Sequence, residues 1–288
     1  MTVINTNVNA TFAHAALTTN ARAQTHSMQE LSTGKRINSA KDDAAGLAMS
    51  ETMTAQIRGL NMAVRNANDA VSLCQTADGA MIEQTNMLQR MRELAVQASS
   101  DTTDAVSKGY LNSEFTALRS EIDRIGLNTQ WNAKPLLDGS CIGSSGVTGS
   151  YSFQVGANGA DTKITIAIGK MTASSSAGVA GTLTSISASS INSGASASSA
   201  ITSLDTALAA IANQRAAIGA TMNQLTYAAD NLTNVSQNTT DSRSRILDTD
   251  YATATTNLSR TQIISQAATA MLAQANQQSQ TVLSLLKG

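Results

Sequence analysis

The residues that could do chemistry are few, and their spacing assembles no reactive set. His14 and His26 are the only histidines, and no HExxH run places a pair of them over a glutamate, so hydrolytic zinc has no ligands here. Cys74 and Cys141 are the only cysteines, too few for a disulfide framework and without CxxC spacing. Cys74 falls on an apolar stripe and reads as a small buried hydrophobe; Cys141 sits in a Gly/Ser loop with no assigned role. Asp248-Thr249-Asp250 offers a carboxylate pair, but beside a helix start it reads as a cap. Gly139, Gly143 and Gly146 do not form a GxGxxG turn after a strand, so no phosphate cradle is expected. With two histidines in a terminal segment, no Ser/His/Asp set can be argued. The chain is expected to be no enzyme and to need no cofactor or metal.

What remains is the chemistry of surfaces. Near the start, Val8, Phe12, Ala15, Thr19 and Ala23 step at three-to-four spacing; near the finish, Leu258, Ala268, Leu272, Ala275, Val282 and Leu286 do the same, with Ile264 and Leu285 beside them. Helices of this length draw most of their stability from packing an apolar face. Two such unfinished stripes predict that the terminal helices pair with each other and then stack on copies of the same chain.

Composition agrees with self-association. Of 288 residues only 3% are aromatic and 14% charged, against about 25% charged in ordinary domains, so neighbouring copies meet little repulsion. The net charge of −1, with both signs interspersed, excludes the footprint of nucleic acid or an anionic membrane. No stretch approaches the roughly 20 apolar residues of a membrane span. No Lys or Arg precedes Arg22 and no unbroken apolar run follows the first Met, so a secretory signal is not expected.

Along the chain, Ile57, Leu60, Val64, Ala67, Val71 and Cys74 continue through Met81, Leu88, Met91, Ala95 and Ala98 as one long helical stripe. Ser39-Ala40-Lys41-Asp42-Asp43 marks its capped start. A second helix carries Leu111, Phe115, Leu118, Ile122 and Ile125 and is expected to stop at Gly126. A third carries Ile201, Leu204, Leu208, Ile211, Arg215, Ile218, Met222, Leu225, Ala229 and Leu232. Three such stripes predict a bundle. Between them Tyr151, Phe153, Val155 and Ile164, Ile166, Ile168 alternate with period two around Gly156-Ala157-Asn158-Gly159, which predicts a β-hairpin. Residues 172–200 are nearly all Ser, Ala, Gly and Thr and are expected to be a surface excursion that buries little. The chain runs out and back, with both termini expected at one end.

Three long motifs near the N-terminus, Arg36-Ile37-Asn38-Ser39-Ala40-Lys41-Asp42-Asp43-Ala44-Ala45-Gly46, Arg65-Asn66-Ala67-Asn68-Asp69 and Leu88-Gln89-Arg90-Met91-Arg92-Glu93-Leu94-Ala95-Val96-Gln97, closely resemble bacterial flagellin. So do Ser242-Arg243-Ser244-Arg245-Ile246, Ala270-Met271-Leu272-Ala273-Gln274-Ala275-Asn276-Gln277 and Val282-Leu283-Ser284-Leu285-Leu286. The resemblance covers roughly residues 1–170 and 200–288, and Cys74 departs from the small alanine-like residue it leads one to expect. It implies a mainly α fold: a long-helix bundle with a small β-hairpin region, plus N- and C-terminal helices paired as a coiled coil in an assembled filament. The expected division is 1–33 for the N-terminal helix and 34–170 for bundle and hairpin. After these come 171–200 for the excursion, 201–249 for the returning helix and linker, and 250–288 for the C-terminal helix. The implied function is a self-polymerising flagellar filament subunit, found outside the cell after unfolded export by the flagellar type III apparatus with a dedicated chaperone. At the filament ends it implies hook–filament junction and cap proteins. Arg90, Leu94 and Glu114 match positions that contact an animal innate-immune Toll-like receptor in stimulatory flagellins; subunit contacts or a solvated face are the other reading of Arg90 and Glu114, and for Glu114, whose local motif is weaker, the two readings weigh about equally. A hook-associated or junction protein, and a secreted coiled-coil adhesin, are the alternatives.

Overall fold

The computed structural model describes residues 7–139, 148–157, 163–173 and 183–287, without the side chains of 148–149 and 278–287. Cys141, Gly143, Gly146, the end of the expected 156–159 turn and the side chains of Val282, Leu285 and Leu286 therefore lie outside the described residues. Five long helices carry the fold: α1 (Val8–Thr33), α2 (Ala44–Ser99), α3 (Ala105–Asn128), α4 (Gly194–Leu247) and α5 (Tyr251–Lys287). Four short strands complete it: β1 (Gln130–Trp131), β2 (Lys134–Pro135), β3 (Thr148–Gln154) and β4 (Lys163–Gly169). No described helix is long and apolar enough to cross a membrane. The chain forms two compact units, one of residues 1–57 with 237–288 and the other of residues 58–236.

The second unit is organised by α2, whose 56 residues make a rod about 84 Å long at 1.5 Å per residue. Twelve of its buried positions in this unit, Leu60, Ala63, Ala67, Ala70, Cys74, Ala77, Met81, Gln84, Leu88, Met91, Ala95 and Ala98, keep a three–four alternation, the period at which helices stay in register along a shared seam, with buried Leu73 and Leu94 beside them. Phe115 and Ile122 of α3 and Leu204, Ile211, Ile218 and Leu225 of α4 join the same core. Half-buried Val64 and Val71 flank it. One seam position is polar: Gln84 is buried, and its Nε2 donates to the carbonyls of Ile122 (3.3 Å) and Met171 (3.0 Å). A polar group at a heptad core position selects one register, because slipping by a turn would bury it unpaired.

The hairpin forms as expected. β3 and β4 pair antiparallel with Tyr151 opposite Ile166 and Phe153 opposite Ile164, and one face, with Tyr151, Ile166 and Ile168 buried, lies in the core. Two side-chain amides tie it down. Gln214 of α4 accepts from the Gly169 N–H (3.3 Å) and donates to Ala167 O (2.8 Å), while Asn66 of α2 donates to Gln154 O (3.1 Å).

Two expectations are corrected. α3 does not stop at Gly126 but runs to Asn128; Gly126 is instead a contact residue, since a Cβ there would lie 2.5 Å from Met171 O. Nor is the 171–200 stretch a surface excursion in its described parts. Met171, Ala173, Leu183, Ile186 and Ile191 are fully buried, and α4 already begins at Gly194 with Ala197 and Ala200 inward. The few large apolar residues in this Ser-rich stretch are sufficient anchors because bundle side chains satisfy its backbone. Asp123 accepts from Ala173 N–H (2.6 Å), Asn112 from Ile191 N–H (3.0 Å), and Arg119 donates to Ser187 O (2.7 Å).

The β1–β2 turn is a two-residue loop with Asn132 at φ 49° and Ala133 at φ 60°, the pattern of a type I′ turn. Asparagine tolerates that region, whereas alanine's Cβ crowds its own carbonyl. Ala133→Gly is therefore expected to stabilise the protein by about 0.5 to 1 kcal/mol, and Gly126→Ala to destabilise it by about 1 to 3 kcal/mol through overpacking; urea unfolding followed by circular dichroism measures both signs. Burial pushes the Cys74 thiol up to about 11. In a Cys141→Ser protein, a thiol reagent should label Cys74 only when urea unfolds the bundle.

Candidate assembly surface of the terminal helices

In the first unit α1 and α5 pair along nearly the whole length of α1. Asn7 caps α1 by accepting from Ala10 N–H (3.1 Å) and also donates to Ala275 O (3.1 Å); further along α1, Asn20 donates to Thr261 O (2.7 Å). Along the seam the less exposed positions of α1 are Ala10, Ala13, Leu17, Asn20, Gln24 and Ser27, with His26, Glu30 and Leu31 also partly covered near its end, and those of α5 are Ala254, Leu258, Thr261, Ser265, Ala268, Leu272 and Ala275. Both sets alternate by three and four. Most are small, so the two backbones approach within 8 Å, and the asparagine amides reach across to main-chain carbonyls.

The expected α5 stripe, Leu258, Ala268, Leu272 and Ala275, lies on this seam, whereas Ile264 stands beside it at 41% exposed. The expected α1 stripe does not pair with α5. Val8, Phe12, Ala15, Thr19 and Ala23 are all exposed, Phe12 at 73%, on a face about 130° round the helix from the seam at 3.6 residues per turn. The reason is steric: alanine, serine and asparagine allow a closer helix approach than Phe12 would, so the bulky face is left outside. Ile263 (66%) and Met271 (65%) are likewise exposed on α5. The seam thus joins small residues with Leu17, Leu258 and Leu272, while Phe12, Ile263 and Met271 stay exposed. The sequence did signal the seam, in asparagines recurring at inward positions, but hydrophobicity alone points to the other face.

The connections are fastened where the two helix ends meet. α1 ends on Gly34 in the left-handed region (φ 69°), its N–H bonded to Glu30 O. Arg36 N–H donates to Leu247 O (2.7 Å), its Nη2 to Ile246 O (2.9 Å), and Thr249 N–H to Gly34 O (3.1 Å), so Lys35 and Asp248 form an antiparallel bridge. Asp43 accepts from Gly46 N–H (2.9 Å) at the start of α2. Asp250 caps α5 through Thr253 Oγ1 (2.7 Å) and Ala252 N–H (3.0 Å), and those bonds hold its carboxyl below the usual range. Asp248 accepts from Ser244 Oγ (2.7 Å). The two aspartates hold local turns and face no common reaction centre.

On the bundle, Arg90 donates to Glu93 (3.0 Å) and to Glu114 of α3 (3.0 Å) with all three side chains about half exposed or more, and both bonds favour the charged guanidinium. Leu94 is 1% exposed. Of Arg90, Leu94 and Glu114, only Arg90 and Glu114 present side chains to solvent, and Leu94 is buried in the bundle core. No cluster of three or more metal-ligating side chains occurs among the described residues.

Residues 4–141 match the bacterial flagellin N-terminal helical region, and residues 201–286 the bacterial flagellin C-terminal helical region. The chain is 43% identical to a flagellin of Halalkalibacterium halodurans, over 99% of this chain and all of that one, and 39% identical to a flagellin of Bacillus subtilis over 99% of each. Among solved structures, one described as a flagellar hook-associated protein of Vibrio parahaemolyticus has the same fold, with a TM-score of 0.58 at 14% identity over 72% of this chain and all of that one. Two flagellin regions that together span most of the chain, and full-length relatives well above 30% identity, establish that this protein belongs to the bacterial flagellin family.

Proposed function

We propose that this chain is a structural subunit of the bacterial flagellar filament, polymerising outside the cell by burying the outward apolar faces of α1 and α5 between copies of itself. The observation that carries this reading is Phe12, Val8, Ile263 and Met271 held in water by a seam built from smaller residues. Each such side chain contributes about 1.5 to 3 kcal/mol when fully buried. In the free subunit the terminal helices are frayed or disordered: ordering costs about 1 to 2 kcal/mol of backbone entropy per residue, and a seam of small and polar residues returns little of it. Enclosure among neighbours supplies the missing burial, so folding of the tails and growth of the filament are one process.

Export through the flagellar type III channel, with a chaperone shielding α5 beforehand, suits a chain whose terminal helices gain their partners only at the growing end. Junction and cap proteins then occupy the two ends of the polymer. We further propose Arg90 and Glu114 as the exposed part of a contact with a host Toll-like receptor, seated over buried Leu94.

Phe12→Ser and Ile263→Ser each remove an apolar side chain that the single chain leaves exposed. Either should raise the critical concentration for seeded polymerisation at least about tenfold, the factor that 1.4 kcal/mol represents, while bundle unfolding is unchanged. Deleting Leu285 and Leu286 should abolish filaments altogether, and filaments of normal length from that truncation would refute the mechanism. For the receptor contact, Arg90→Ala should lower signalling in receptor-bearing cells, and undiminished signalling would remove it.

A further inference from the structure

His26 lies two turns before the end of α1 with a carboxylate at each ring nitrogen: Nδ1 is 3.4 Å from Glu30 Oε1 on the same helix, and Nε2 is 3.5 Å from Asp42 Oδ1 in the connection to α2. Both carboxylates are largely covered, at 14% and 10% side-chain exposure. The other oxygen of Asp42 is committed, accepting from the amides of Asn38 (3.2 Å) and Ser39 (2.9 Å) and from Ser39 Oγ (2.9 Å). The remaining charged groups around the ring are Arg22 on α1, Lys41 in the connection and Arg260 on α5, which line the shallow cavities beside it. None of them pairs with Glu30 or Asp42 within 4.0 Å among the described residues.

A neutral imidazole carries one N–H and one lone pair. Whichever tautomer it adopts, one nitrogen then turns a lone pair toward a carboxylate oxygen; only the imidazolium can face both favourably. Histidine is also the side chain whose charge ordinarily changes between about pH 5 and 8. From this geometry we propose that His26 is a proton-operated clasp: charged, it ties the last turns of α1 to the 38–42 loop that starts α2, and neutral, it releases one side. The hydrogen bond from Ser39 holds the Asp42 carboxyl below the usual carboxylate range, which keeps it ionised at neutral pH. The clasp is tightest at mildly acid pH and loosens as pH rises.

This inference rests on the filament reading for the state in which α1 is folded, so filaments grown from the whole protein are scored by electron microscopy before any exchange is measured. Failure to form them at all overturns the functional reading. In formed filaments, hydrogen exchange of the Asn38 and Ser39 amides, corrected for the intrinsic effect of pH, should lose about two- to fivefold protection between pH 5.5 and pH 8, the range that a partly exposed ion pair supports. His26→Gln filaments should show no such dependence, and His26→Lys filaments should keep their protection at both pH values. A wild-type profile flat with pH overturns the clasp, as does a His26→Gln profile that retains the wild-type slope.

Discussion

The close seam between α1 and α5 is the constraint on which the assembly surface depends. Helices packed through alanine, serine and asparagine come near enough for side-chain amides to reach the opposite main chain, as Asn7 and Asn20 do. The seam admits Leu17, Leu258 and Leu272 among the small residues, whereas Phe12 lies outside it. Had Phe12 occupied the seam, the pair would have been better buried alone and worse equipped to recruit neighbours.

The bundle unit packs larger side chains along its seam. Its seam on α2 carries methionine and leucine among alanines, met by Phe115, Ile122 and the leucines and isoleucines of α4, while Tyr110 and Tyr227 stay exposed on its surface. Specificity there comes from sparse polar devices. Gln84 selects a register for α3 and the Met171 segment, Gln214 substitutes for a missing strand beside β4, and Arg215 pairs with Asp78 at 2.7 Å between α4 and α2. Exposed edge strands invite pairing with other chains.

The connections of the first unit are held mainly by polar bonds. Backbone bonds among Gly34, Arg36, Leu247 and Thr249, and the aspartates that cap α2 and α5, satisfy helix ends that would otherwise carry unpaired groups. His26 adds a titratable contact at the same place. The most charged part of the first unit is thus its turns, while its helix faces are nearly neutral, which suits surfaces meant to meet copies of themselves.

The sequence by itself determined the long helices, the hairpin and the family, because three–four periodicity, period-two alternation and long motifs are local properties that survive without knowledge of partners. It marked the α5 side of the seam through Leu258, Ala268, Leu272 and Ala275. It could not say which face of α1 turns inward, since hydrophobicity favours the Phe12 face and only the closeness permitted by small residues reverses that choice. Nor could composition reveal that Leu183, Ile186 and Ile191 anchor a Ser-rich stretch, or that Gly126 is a contact rather than a stop. Those outcomes depend on how near two distant segments come, and distance between segments is decided by tertiary packing alone.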